Sequence, residues 1–272
     1  MKIVLGLLAL LVLLPLAIVG YSYAIEPNWI ETTHLEIPIS GLPKEFEGLR
    51  MVQISDLHVG PYASKEDVER AVADVNRLKP DIVAITGDFV SLSADNIYPC
   101  TEALKELRPR LGTYGVLGNH DFATDPDAIA DALRSAGISV LRNQADHLSV
   151  GSQRLWIVGV DDVYLFQDDL PGAMADVPPN SNTILLCHSP DIAEQAIDMP
   201  IDLILVGHTH GGQVRLPIFG APFLPVHNPP NEAGRFTVGQ TLMYVHRGLG
   251  VVYPPFRFMS RPEITVITLR AK

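Results

Sequence analysis

Five apolar runs of the chain each stop at residues able to bind a cation or move a proton. Ile54 is followed by Ser55-Asp56-Leu57-His58, Ile85 by Thr86-Gly87-Asp88, and Leu117 by Gly118-Asn119-His120-Asp121. Farther on, Cys187 is followed by His188, and Val206 by Gly207-His208-Thr209-His210. Carboxylate, amide oxygen and imidazole suit Mn, Zn, Fe or Co, and the two cysteines, Cys100 and Cys187, are too few for a thiolate set. Taken singly, each fragment is ordinary: a Gly-Asp after a strand is usually a turn, and an Asp-x-His pair is common. Together they predict a pocket of carboxylates and imidazoles around divalent cations. The two imidazoles of His208 and His210 share one side only where the backbone stays extended. Alternatively, the neighbouring glycines let backbone approach a metal cluster closely.

Such a pocket requires elements that bring distant segments to one edge. Strands read at 50–54, 82–86, 115–117, 156–160, 183–187, 203–206, 243–245 and 264–269. Helical spacing of Val68, Ala71, Val72 and Val75 over 64–78, opened by a Ser64 cap, predicts a helix, as do 96–108 and 127–136, the last preceded by Asp125-Pro126. Alternating strands and helices indicate an α/β layered domain, whose ligand crevice lies outside the carboxyl ends of its strands. The helix-poor second half predicts added antiparallel strands.

With 272 residues, 47% of them hydrophobic and 19% charged, the chain can bury a sizeable core. A net charge of −11 excludes nonspecific binding to nucleic acid, which needs clustered Lys and Arg. No fixed-period repeat is visible. Residues 3–25 carry no charge and are long enough to cross a bilayer, with Tyr21, Tyr23 and Trp29 as interfacial aromatics. The competing reading is a cleaved secretory signal, for which Ser22-Tyr23-Ala24 supplies small residues before a cut. Lys2 precedes the run while Glu26, Glu31 and Glu36 follow it, which predicts a single-pass anchor in a bacterial cell membrane with the globular part outside the cytoplasm. The organisation expected is an anchor at 1–25, a connector at 26–48 with a strand at 33–37, and one catalytic domain at 49–272.

Asp56-x-His58, Gly87-Asp88, Gly118-Asn119-His120-Asp121, His188 and Gly207-His208-x-His210 resemble, in content and order, the motif set of the calcineurin-like metallophosphoesterases. His188 to Asp191, Gly207 to Gln213, Tyr244 to Gly250 and Arg261 to Thr265 resemble a membrane-associated bacterial branch, which includes phosphodiesterases and the UDP-diacylglucosamine pyrophosphatases of lipid A synthesis. His246 departs from the small polar residue expected there. The resemblance implies a four-layer αββα sandwich of two mixed sheets with a dinuclear site at the strand ends. It also implies that Asp56, His58 and His210 hold one metal, that Asn119, His188 and His208 hold the second, and that Asp88 bridges them. Such a pair, about 3.5–4 Å apart, clamps attacking and leaving oxygens of a phosphoester. The family further suggests His120 as general acid or phosphate donor, with Asp121 orienting its imidazole; the plainer alternative is a His that hydrogen-bonds within a Gly-Asn turn.

The reading is therefore a two-metal hydrolase of a phosphodiester or pyrophosphate, with a lipid-linked or nucleotide-lipid substrate favoured by the anchor. The alternatives are a hydrolase of soluble phosphoesters and a metal-binding scaffold without turnover. Arg247, and less so Arg257 and Arg261, could contact phosphate or be ordinary surface arginines. The Pro-, Phe- and Leu-rich stretch 216–230 reads either as a membrane- or acyl-facing lip or as a loop packed on the domain, and Leu165-Phe166 invites the same two readings. Cys187 is expected to be an inert core thiol. Oligomeric state is left open.

Overall fold

The computed structural model describes residues 2–227 and 232–272. Residues 228–230, the end of the Pro-rich stretch, lie outside the described residues. Among those described, the strands are β1 (Glu31–Ile39), β2 (Arg50–Ile54), β3 (Ile82–Thr86), β4 (Gly112–Val116), β5 (Ile138–Val140), β6 (Gln144–Val150), β7 (Gln153–Gly159), β8 (Thr183–Leu186), β9 (Leu203–Val206), β10 (Gly234–Val238), β11 (Thr241–Val245) and β12 (Glu263–Ala271). The helices are α1 (Lys2–Ala24), α2 (Lys65–Arg77), α3 (Ile97–Leu104), α4 (Asn119–Phe122), α5 (Pro126–Ser135), α6 (Leu170–Met174) and α7 (Ala193–Ala196).

Strands order as β1-β12-β2-β3-β4-β5 in one sheet and β10-β11-β9-β8-β7-β6 in the other. Both sheets are mixed: β2 to β5 run parallel while β12 is antiparallel to β2, and β7, β8, β9 and β11 run parallel between antiparallel edges. Strand alternation explains the four layers, because strands covered on both faces must be apolar on both. On β3, Ile82 and Ala84 enter the core between the sheets, whereas Val83 and Ile85 join Val68, Val72, Val75, Ile129 and Leu133 under α2 and α5. On β9, Leu203 and Leu205 meet that same inter-sheet core, and Ile204 and Val206 pack toward α6 and α7. The result is the expected αββα sandwich.

Helix α2 begins where expected, because Ser64 caps it reciprocally with Asp67: the Asp67 carboxylate accepts from the Ser64 N–H at 2.7 Å and the Ser64 hydroxyl accepts from the Asp67 N–H. The stretch 26–48, read from sequence as a connector with a short strand, contains β1, which pairs with β12 in parallel along its whole length. Helix α1 is solvent-facing nearly throughout, and its window of mean hydropathy 3.0 meets the length and composition needed to cross a membrane. Its far end is docked on the domain. The Ser22 carbonyl accepts from the Arg257 N–H at 2.9 Å, and the buried Glu26 carboxylate accepts from the Ser260 N–H at 2.6 Å. Tyr21 and Tyr23 pack on Phe258 and Phe256, and the Arg261 guanidinium lies 3.5 Å from the centre of the Trp29 ring.

Candidate metal centre

The loops that leave β2, β3, β4, β8 and β9 meet over one end of the sandwich. Backbone bonds tie them together: the Asp56 N–H donates to Gly87 O at 2.9 Å, the His58 N–H to Asp88 O at 3.0 Å and the Gly207 N–H to His188 O at 2.8 Å. Gln53 crosses between sheets, donating to Val206 O at 3.0 Å. Asp56, His58, Asp88, His208 and His210 all have positive φ, between 50° and 70°. Non-glycine residues seldom hold that conformation, and it concentrates at functional sites. A regular extended segment is therefore not what aims His208 and His210; left-handed backbone at the two histidines themselves is.

Three overlapping clusters result, each with ligand atoms within 4.8 Å of one another: Asp56, His58 and His210; His58, Asp88 and His120; and Asp88, His188 and His208. His58 Nε2 lies 3.0 Å from His210 Nε2 and 3.4 Å from Asp88 Oδ2, while His210 Nε2 lies 3.3 Å from Asp56 Oδ1. His188 Nε2 is 3.2 Å from Asp88 Oδ2 and 3.1 Å from His208 Nδ1. Carbonyl oxygens set the tautomers, since they only accept. His188 Nδ1–H donates to Thr86 O at 2.7 Å, and His208 Nε2–H donates to Pro225 O. In the neutral rings the two lone pairs then face each other. Asn119 Oδ1 is buried without a partner. Facing lone pairs, carboxylates and an orphaned amide oxygen fit divalent cations and little else.

The surroundings tune these groups for ligation. Burial pushes His58 and His208 each down to about 3 and His210 well below its ordinary value, so their rings are neutral and offer lone pairs. Burial also raises Asp56, to about 6. At Asp88 burial opposes charge, but His188 overrides it and holds the carboxyl well below the usual range; Asp88 in return raises His188 against its own burial. A cation competes for the same His188 lone pair as that proton. Glycine keeps the space open. A Cβ at Gly87 would meet His188 Nδ1 at 2.6 Å, and one at Gly118 would meet the Asp88 N at 2.7 Å.

His120 stands beside the centre, half-buried, its ring 4.7 Å from that of His58 at an angle of 85°. Its backbone N–H donates to Asp88 Oδ1 at 2.9 Å. The expectation that Asp121 orients the His120 imidazole is corrected: fully buried Asp121 accepts from the N–H groups of Phe89 (2.9 Å), Val90 (3.2 Å) and Gly118 (3.0 Å). A carboxylate that satisfies three amides braces the β3 and β4 loops against each other. Arg247, left open between phosphate contact and an ordinary arginine, has its guanidinium held by Glu31 at 2.8 Å and Glu263 at 3.2 Å. Arg257 is fully buried, donating to the carbonyls of Ser260, Arg247 and Gly250. Cys100 and Cys187 are buried free thiols.

Two features went unread in the sequence. Strand β7 also ends in acid, at Asp161-Asp162, and the buried Asp162 has an Oδ2 without partner. The rule that singled out the other five ends would have found it. Beyond it, Tyr164 packs on His208 with ring centres 5.0 Å apart and stacks on His227 at 4.9 Å, while Phe166 lies 6.1 Å from His227. No local motif marks that contact, since it joins segments some 60 residues apart.

Residues 49–212 match the calcineurin-like phosphoesterase family. The chain is 36% identical to the uncharacterized metallophosphoesterase YkuE of Bacillus subtilis over 93% of its own length and 90% of that protein's. It is 32% identical to the phosphodiesterase YaeI of Escherichia coli, covering 92% of each chain. It is 29% identical to the UDP-2,3-diacylglucosamine pyrophosphatase LpxG of Chlamydia trachomatis, over 89% of its own length and 90% of that chain.

Proposed function

Because the chain belongs to the calcineurin-like phosphoesterase family and is thereby a metal-dependent phosphoester hydrolase, we propose that it cleaves a phosphodiester or pyrophosphate bond of a substrate presented at a membrane surface. The observation that carries this reading is the place of Asp88 Oδ2 between the two groups of ligands, 3.4 Å from His58 Nε2 and 3.2 Å from His188 Nε2. Asp56, His58 and His210 would hold one cation, Asn119, His188 and His208 the other, with Asp88 shared. Bound there, the pair supplies Lewis acidity and lowers the pKa of water towards about 7.

The remaining chemistry falls to the chain itself. His120, next to the clusters and half-open to solvent, gives a proton to the leaving oxygen. Asn119, whose buried Oδ1 has no partner, would give that oxygen to the cation and leave its NH₂ group for a phosphate oxygen. Tyr164 and His227 border the second cluster as a stacked pair, suited to a base or ring of the leaving group. Helix α1 holds this apparatus at the bilayer, which favours a lipid-linked substrate over a soluble one.

The test is one comparative assay on chelated, Mn-, Zn- and Co-reconstituted protein, offered bis-p-nitrophenyl phosphate, p-nitrophenyl phosphate and a UDP-linked lipid. Metal-restored hydrolysis of diester or pyrophosphate is expected, and no metal dependence for any substrate would discard the mechanism. Protease protection fixes the side. The flanking charges favour a domain outside the cytoplasm, and a protected domain there would rule out a UDP-linked lipid made within the cytoplasm.

A further inference from the structure

Helix α1 sets a depth gauge. Its 23 residues rise about 34 Å, a little more than the ~30 Å of a bilayer's hydrocarbon core, so in a spanning helix Tyr21 to Ala24 lie at headgroup level. Whatever packs on those residues lies there too. Phe258 and Phe256 pack on Tyr21 and Tyr23, and the Arg257 N–H bonds Ser22 O. The segment carrying Phe258 pairs with the loop after the metal cluster: Arg215 N–H donates to Phe258 O at 2.8 Å, and Val214 bridges Phe258.

From that attachment the chain makes a small hairpin, closed by reciprocal Leu216 and Gly220 backbone bonds of 2.8 and 3.0 Å. Its tip carries Ile218, wholly exposed, and Phe219, 83% exposed; Phe223 follows at 74%, with Tyr253 at 79% and Met259 at 56% on the docked segment. Large apolar side chains this exposed and this clustered in sequence mark a surface that water does not normally face. We infer that the 214–223 hairpin and the 253–259 segment form a second membrane contact, dipping Ile218, Phe219 and Phe223 into the interface beside the anchor. The inference rests on the reading of α1 as a span. A chain of net charge −11 gains nothing from anionic headgroups, so the contact is apolar. The same loop runs from His210 to Pro225, whose carbonyl holds His208, so the lip sets the metal clusters beside the lipid surface.

The experiment uses the full-length chain in phosphatidylcholine vesicles, with Phe219→Cys, Leu8→Cys or Asn180→Cys labelled by an environment-sensitive fluorophore; both native cysteines are buried. Asn180 is exposed and precedes β8, at the end of the sheet away from the metal clusters. Expected is strong quenching by shallow doxyl lipids at position 219, at least twofold over position 180 and unchanged in 1 M NaCl. If the label at position 8 is quenched by lipid while 219 is as open to aqueous iodide as 180, the lip is overturned and the anchor stands. If neither is reached by lipid, the span reading itself fails. Protection at 219 that vanishes on dilution of protein in the vesicles would assign the face to a second copy and also overturn the inference.

Discussion

His188 Nε2 and His208 Nδ1 face each other across 3.1 Å, each with its other ring nitrogen donating to a backbone carbonyl. Asp88 Oδ2, 3.2 Å from His188, raises that ring well above its ordinary pKa, so in the absence of metal a proton on His188 Nε2 occupies the gap. A divalent cation held there would take that proton's place, so metal binding is expected to release a proton and to weaken in acid.

Asp88→Asn removes the charge shared by two clusters. Metal content is expected to fall, and diester turnover to drop by about a thousandfold or more, corresponding to several kcal/mol of lost Lewis-acid stabilisation. Elemental analysis alongside kinetics checks this. Full metal occupancy with wild-type turnover would remove Asp88 from the centre.

His120→Ala is expected to keep its metal but lose about 10²–10⁴ in rate on alkyl leaving groups, which need protonation, and far less on p-nitrophenolate. Equal losses on both classes would rule out the acid role, and loss of metal would make His120 a ligand instead.

Gly118→Ala tests the space around the ligands at a φ of −110° that any residue adopts, so the effect comes from crowding and not from the dihedral. The added Cβ would stand 2.7 Å from the Asp88 N and 2.8 Å from His188 Cδ2. Metal affinity is expected to fall about 10–100-fold with the far-ultraviolet circular dichroism unchanged. Isothermal titration on chelated protein measures it, and an unaltered isotherm would show that the loops yield.

Glu263 provides a pH signature away from the ligands. Burial raises it, but His246, itself lowered by burial to about 4 and so charged only in acid, and Arg247, with hydrogen bonds from Arg247 and Thr33, bring it down to about 2 from an ordinary 4.5. A depressed carboxyl stabilises the fold above its unfolded pKa and loses that contribution as pH falls through the folded one, here between about 4.5 and 2. Glu263→Gln should therefore cost about 1–3 kcal/mol at pH 7, where Arg247 is the charged partner, and progressively less below pH 4.5, in urea unfolding at fixed metal. A cost that does not shrink in acid would mean that packing, not charge, is what the substitution removes.

Much of the architecture was legible where residues answer to a local rule. The Ser64 cap, the two-faced apolar pattern of 82–86 and the acid- or His-terminated strand ends needed no partner to be read. Strand β6, Gln144–Val150, escaped because an edge strand with polar positions at Gln144, Asp146, His147 and Ser149 lacks a continuous apolar run. Strand β1 extends two residues beyond the expected 33–37 at each end because β12 offers it a nine-residue partner, a fact held 230 residues away. The role expected of Asp121 failed for a related reason: adjacency to His120 in sequence says nothing of the amides of Phe89 and Val90 that claim its oxygens.

The parallel pairing of β1 with β12 has a consequence for how the protein is made. Helix α1 and β1 leave the ribosome early, yet the hydrogen-bond mate of β1 is synthesised only after both sheets' inner strands. Until then the rim of the first sheet stays unsealed and β2 lacks its antiparallel neighbour. Contacts of such long sequence separation form slowly. The first sheet therefore cannot close until β12 is complete, long after α1 and β1 have been synthesised.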